Sequence, residues 1–153
     1  MQKKEILSNY SINPTEESLL ISFIQDLKDN NKHTNLVGKS TLINAWKSHI
    51  LDSLQIAPLI KEKKLNVLDM GAGAGLPGVI LSIVGFKNIT LVDSNGKKTR
   101  FLESFRDKHG LDYTVIRERL ETIDYLKFDI VVCRALANLN KLFSYSQNFI
   151  KKN

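Results

Sequence analysis

The stretch LNVLDMGAGAGLPGVILSI, residues 65–83, constrains the fold more than any other part of the chain. An apolar run ends on Asp69 and Met70. Glycines follow at 71, 73 and 75, and Pro77 and Gly78 lead into a second apolar run. Strand, tight loop and helix in that order make the first half of a βαβ unit. Gly71, Gly73 and Gly75 permit positive φ, and Pro77 suits the first helical position. The alternation continues downstream. NITLVD at 88–93 reads as a second strand, and Lys97–His109 as a helix that Gly110 is placed to end. YTVI at 113–116 is a third strand, FDIVVC at 128–133 a fourth, and Leu139–Ile150 a helix. Strands that alternate with helices, and are themselves almost wholly apolar, belong to a parallel sheet covered on both faces. The expected fold class is α/β.

Before Leu65 the pattern is helical throughout. Asn13 is placed as an N-cap, Pro14 suits the first helical position, and Glu16 completes a capping-box spacing. Leu19, Leu20, Phe23, Ile24 and Leu27 then recur at helical period. A short helix is expected at Lys3–Asn9, and a long one from about Thr41 to Ile60 with Trp46, Ile50, Leu51, Leu54 and Ile56 on its apolar side. This divides the chain into a helical N-terminal extension, 1–62, and a core, 63–153. The last helix has no strand after it. The expectation is an incomplete parallel sheet, truncated after the helix that follows the fourth strand.

With 153 residues the chain can bury a sizeable core. Its apolar runs fall short of the ~20 residues a bilayer span needs, and MQKKEILSNYSINP has no apolar h-region. Cys133 is the one cysteine, so no internal disulfide forms. A reducing, cytoplasmic setting and no membrane are expected. A net charge of +6 favours a polyanionic partner, nucleic acid before membrane. An AT-biased genome, which enriches Lys, Asn and Ile, gives the same charge without function.

In an open parallel sheet, ligands bind beyond the carboxyl ends of the strands, where strand order reverses. The glycine loop sits there and admits two registers. Gly73-x-Gly75-x-x-Gly78 has the spacing of a dinucleotide fingerprint. Asp69-x-Gly71-x-Gly73-x-Gly75 has the spacing of a methyl-donor loop. Asp93, at the end of the second strand, is placed to bond ribose hydroxyls in either case. Asp69 discriminates. A carboxylate repels a pyrophosphate but favours a sulfonium and an ammonium, so S-adenosyl-methionine is the expected cofactor and NAD the alternative. The Gly78 spacing then reflects tight helix packing. A turn that Asp69 caps and that binds nothing is the remaining reading.

Lys97, Lys98 and Arg100 open a helix where the dipole disfavours cations, which points to phosphate or to a solvated face in equal measure. Arg117 and Arg119 lie at the same end of the sheet and extend that patch. Lys61, Lys63 and Lys64 lie at the opposite end and read as solubilising. Arg134 can bind the donor or RNA through its planar fork, or form a surface ion pair. His49 and Asp52, three apart on a helix, read as structural packing, and no metal is expected. Cys133 reads as core packing rather than a nucleophile. His33 and His109 read as solvated.

KHTNLVG at 32–38, HILDSL at 49–54, LDMGAGAGLPGVILSI at 68–83, LVDSNGKKTRFL at 91–102 and CRALANL at 133–139 together resemble the small-subunit (16S) ribosomal RNA methyltransferase G family, also called glucose-inhibited division protein B. The resemblance implies a Rossmann-like, class I S-adenosyl-methionine-dependent methyltransferase with a helical extension. It implies transfer of a methyl group to ring nitrogen 7 of a guanine in 16S rRNA; the expected partner is that RNA or a small-subunit particle, and the expected state a monomer. It implies donor contacts at Gly71, Leu76, Leu120, Glu121 and Arg134, with Asp93 on the ribose and Asp69 in the donor pocket; Gly73, in the same glycine loop, is a further candidate donor contact. Lys97, Lys98, Arg100 and Arg119 are the candidate RNA contacts. Methylation of a ring nitrogen uses an existing lone pair and expels a neutral thioether, so positioning suffices and no catalytic base is expected. The competing readings are a non-catalytic truncated remnant that binds RNA or donor, and an NAD-dependent oxidoreductase.

Overall fold

A computed structural model describes residues 1–134 and 136–152. Its centre is a four-stranded sheet in the order β3-β2-β1-β4, with every pairing parallel. The strands are β1 (Asn66–Met70), β2 (Asn88–Val92), β3 (Thr114–Ile116) and β4 (Ile130–Val132). From β1 the chain steps outward to β2 and β3, then returns to the other side of β1. Strand order therefore reverses between β1 and β4, which opens a crevice at their carboxyl ends.

The helices are α1 (Lys3–Asn9), α2 (Pro14–Asn31), α3 (Asp52–Leu54), α4 (Gly78–Ile83), α5 (Gly96–His109) and α6 (Leu139–Phe149). Asn13 caps α2 as its sequence predicts. Its side chain accepts from the Glu16 N–H at 2.8 Å, and the Glu16 carboxylate accepts from the Asn13 N–H at 3.1 Å. Gly110 ends α5 in the left-handed conformation at φ 64°. Pro77 departs from expectation in standing just before α4, at its N-cap.

The long helix expected from about Thr41 to Ile60 is broken into pieces. A 3-10 turn at Lys39–Leu42 is followed by a π-helical turn at Trp46–Leu51, which runs into α3, and a second 3-10 turn at Ala57–Leu59. Short polar side chains compete with the helix ladder here. The Thr41 hydroxyl donates to the Gly38 carbonyl at 2.6 Å, and Asn44 Oδ1 accepts from the Lys47 N–H at 3.4 Å. Pro58, in the last turn, has no N–H to give. The π turn buries His49 and Ile50 together.

Alternation along β1 sends Val67 and Asp69 to one face of the sheet, Leu68 and Met70 to the other. The first face carries the larger core. In it Ile6, Leu20, Phe23, Leu27, Ile50 and Leu54 of the extension pack with Val79, Ile80, Leu102 and Phe105 of the core segment. Phe23 and Phe105 meet edge to face at 5.3 Å, and Lys108 bridges to Asp26 at 3.1 Å. The second face holds a smaller cluster of Leu68, Met70, Val92, Ile123, Phe128 and Phe149. The fourth strand is shorter than FDIVVC suggests, because Phe128 pairs outward instead. Its N–H donates to the Phe149 carbonyl at 2.7 Å, and its carbonyl accepts from the Lys151 N–H at 3.0 Å. Phe128 and Ile150 thereby form an isolated parallel bridge.

Two further side chains differ from expectation. Lys63 donates to the Val84 carbonyl at 2.6 Å, capping the end of α4, so it is not merely solubilising. His109 is half-buried and packs on the Phe105 ring at 4.4 Å, whereas His33 is exposed. No described helix is long and apolar enough to cross a membrane.

Candidate functional site

The loop that leaves β1 is fastened to the end of β2. Ala72 donates its N–H to the Val92 carbonyl at 2.8 Å, and Gly73 donates its N–H to Asp93 Oδ2 at 2.9 Å. Asp93 Oδ1 accepts from the Asn95 N–H at 2.8 Å, so two loops hold one carboxylate in place. Each oxygen keeps capacity for a further donor. Gly71 has φ 69°, and a Cβ there would collide with the Leu136 side chain. The positive φ favours glycine here, and any other residue would also make the Leu136 side chain move.

Two adjoining cavities open at this end of the sheet. The larger, about 450 Å³, has a wall from the extension (Leu36, Val37, Gly38, Thr41, His49) facing Gly71, Gly73, Leu76, Asp93, Lys98 and Arg134. The smaller, about 260 Å³, lies among Asp93, Arg119, Leu120, Glu121, Lys141 and Tyr145. Gly71, Asp93 and Leu136 line both. The structure thus brings Gly71, Gly73, Leu76, Asp93, Leu120, Glu121 and Arg134 to one place. Glu121 is exposed and accepts from the Tyr145 hydroxyl at 2.8 Å. Its own backbone N–H and that hydroxyl hold its carboxyl below the usual range.

Asp69, expected in the donor pocket, stands apart from those residues. It is fully buried and lines neither cavity. Its position on β1 points it at α4, where Oδ2 accepts from the Gly78 N–H at 2.8 Å. Oδ1 has no hydrogen-bond partner among the described residues. Burial raises its carboxyl to about 7, with the Asp93 charge adding to the rise and Gly78 and Arg134 opposing it. A carboxyl held partly protonated near neutrality discriminates poorly between pyrophosphate and sulfonium. Gly78 has the packing reason its spacing suggested. A Cβ there would collide with the Leu91 side chain and with the Asp69 carboxylate.

Arg134, just beyond β4, is half-buried and faces back to the extension. Its Nη2 donates to His49 Nδ1 at 3.0 Å, and its Nη1 lies 3.4 Å from Asp52 Oδ2, within ion-pair reach but without a hydrogen bond. His49 and Asp52 thus share a partner. Cys133, also half-buried, packs against the smaller core cluster. Burial, with the Asp69 charge, pushes its thiol up.

The basic cluster is divided by the helix. Lys98 lines the larger cavity, whereas Lys97 and Arg100 line a separate groove of about 430 Å³ with His33 and Thr34. Arg119 faces the smaller cavity, and the Arg117 guanidinium lies against Gly96. Sequence reasoning missed Leu136, Tyr145 and the Leu36–Gly38 wall. The only signal for that wall is KHTNLVG, which carries the resemblance but states no chemistry.

The profile of the family described as rRNA small subunit methyltransferase G matches residues 16–153. The "Ribosomal RNA small subunit methyltransferase G" of Rickettsia typhi is 38% identical over 136 residues, 88% of this chain and 71% of that protein. Its counterpart in Orientia tsutsugamushi (strain Ikeda) is 37% identical over 144 residues, 94% of this chain and 72% of that one. That of Rickettsia prowazekii is matched over 63% of its length. The chain therefore corresponds to roughly two thirds of these relatives. Among solved structures, coclaurine N-methyltransferase with N-methylheliamine and SAH superposes at a TM-score of 0.61 over 99% of this chain and 51% of its own. A point mutant of MtNAS in complex with S-adenosylmethionine does so at 0.60 over 90% and 56%. Both are 17% identical and share the fold of this chain. By sequence and by fold together, the chain belongs to the rRNA small subunit methyltransferase G family.

Proposed function

We propose that this chain binds S-adenosyl-methionine across the two joined cavities and contributes the donor half of an rRNA methyltransferase. The observation that carries the reading is the Asp93 carboxylate, which both cavities share and which loop amides fix from both sides. A nucleoside spanning that junction would place its ribose hydroxyls on Asp93. The adenine would enter the smaller cavity beside Leu120 and Glu121. The amino-acid end would lie along Gly71, Gly73 and Leu76, with Lys98 and Arg134 as the cations of the larger cavity. When bound, the donor supplies an electrophilic methyl group on a positive sulfur.

The names of the relatives support small-subunit rRNA as the acceptor, and the family resemblance supports ring nitrogen 7 of a guanine. In this reading the residues present do no proton transfer. They bind, orient and exclude water, and rate comes from in-line alignment in a closed pocket. The basic groove favours an RNA path. Its residues Thr34 and Lys97 are near neighbours in sequence of Leu36 and Lys98, which line the larger cavity. An RNA strand delivering a base to that cavity would thus pass its phosphates over Lys97 and Arg100. The proposed setting of the reaction is the cytoplasm, with the protein a monomer.

Replacing Asp93 tests the donor assignment. Asp93→Ala should weaken S-adenosyl-homocysteine by at least about tenfold in titration calorimetry, since hydrogen bonds to a charged group are worth ~1.5–3 kcal/mol. Unchanged affinity would remove Asp93 from the site.

A further inference from the structure

We propose that His49 is a positioning residue: in its neutral form, with the proton on Nε2, it holds the Arg134 guanidinium at the wall of the larger cavity and so ties the helical extension to donor binding. The inference rests on the donor reading of that cavity.

Hydrogen-bond polarity fixes the tautomer. Arginine has only donors, so the Nδ1 that meets Arg134 Nη2 at 3.0 Å must be the accepting nitrogen. The ring proton then sits on Nε2, which donates to Thr41 Oγ1 at 2.8 Å. That leaves the threonine hydroxyl to donate its own proton to the Gly38 carbonyl at 2.6 Å. Arg134, His49, Thr41 and Gly38 form a chain of bonds running in one direction, with one donor and one acceptor at each step. A second proton on His49 would set an N–H against the guanidinium N–H and break the chain. His49 is 1% exposed, and burial followed by the Arg134 charge lowers it to about 4, in keeping with a neutral ring.

The architecture gives the chain a purpose that packing alone does not. Gly38, Thr41, His49 and Arg134 all line the larger cavity, three from the extension and one from the strand end. His49 in the π turn and, three residues on, Asp52 at the start of α3 face the same guanidinium. Arg134 carries a planar fork on a flexible stem. With Nη2 bonded to His49 and Nη1 beside Asp52, its orientation toward the cavity is set before any ligand arrives, which lowers the cost of binding.

The test is calorimetric titration of the full chain with S-adenosyl-homocysteine, alongside thermal melting. His49→Leu should weaken binding by roughly tenfold, the loss expected when a charged donor is left unpaired. His49→Asn, whose side-chain oxygen stands near the Nδ1 position, should restore most of that loss. In an Arg134→Met background, His49→Leu should have no further effect, because residues that act as a unit are non-additive. If His49→Leu does not fold, Thr41→Val takes its place, with Thr41→Ser as its rescue. Wild-type affinity in His49→Leu, failure of the conservative variant to rescue, or additivity with Arg134→Met would overturn the inference. A wild-type chain that binds no S-adenosyl-homocysteine would overturn the donor reading itself, and that result needs no variant.

Discussion

Asp69 shows how one buried carboxyl can serve structure at a cost that depends on pH. Its ordinary value of 3.8 applies to the unfolded chain, and burial raises it to about 7 in the fold. Between those values the folded protein keeps a proton that the unfolded chain has released. The stability this confers is complete below about pH 4 and is lost as pH rises through about 7, at ~1.4 kcal/mol per unit. Asp69→Asn keeps an oxygen to accept from the Gly78 N–H and does not titrate. In urea unfolding, the wild type should therefore be less stable than Asp69→Asn at pH 8, with the gap narrowing toward pH 5. A gap that ignores pH would contradict the assignment. The identity of Asp69 was visible in the sequence, but its direction was not. Strand alternation places it on the α4 side, and only the register of β1 against the helix start shows that it meets Gly78.

Elements differ in how plainly their sequences announce them. The start of α2 was legible to the residue because cap, proline and apolar stripe agree locally. The segment from 39 to 59 was not. Its apolar residues recur at helical period, yet Thr41, Asn44 and Pro58 each draw the backbone away from a continuous ladder. A period cannot report a π turn, and that turn carries His49, whose Nδ1 meets Arg134. At α5 the cationic start was visible, while its division between a cavity and a groove depends on helix phase. If the groove carries RNA phosphates, Lys97→Ala with Arg100→Ala should weaken binding of a small-subunit rRNA fragment. The slope of log affinity against log salt should fall by about 0.7 per lost contact on single-stranded RNA. S-adenosyl-homocysteine affinity should hold. An unchanged salt slope would leave the groove a solvated face.

Across the whole molecule, the extension and the sheet share one core, from Ile6 and Phe23 through to Val79 and Phe105. The extension also builds a wall of the larger cavity. The alternation of strands and helices made the parallel sheet legible, and the glycine loop located its ligand end. The junction of two cavities on Asp93 was not legible, since it requires knowing that Leu120, Tyr145 and the Leu36–Gly38 segment converge from distant parts of the chain. That junction is the centre of the functional account. Titration of the chain with S-adenosyl-homocysteine and, separately, with NADH tests it most directly. The account predicts one saturable site for S-adenosyl-homocysteine and none for NADH. Saturable NADH binding with no heat from S-adenosyl-homocysteine would contradict it.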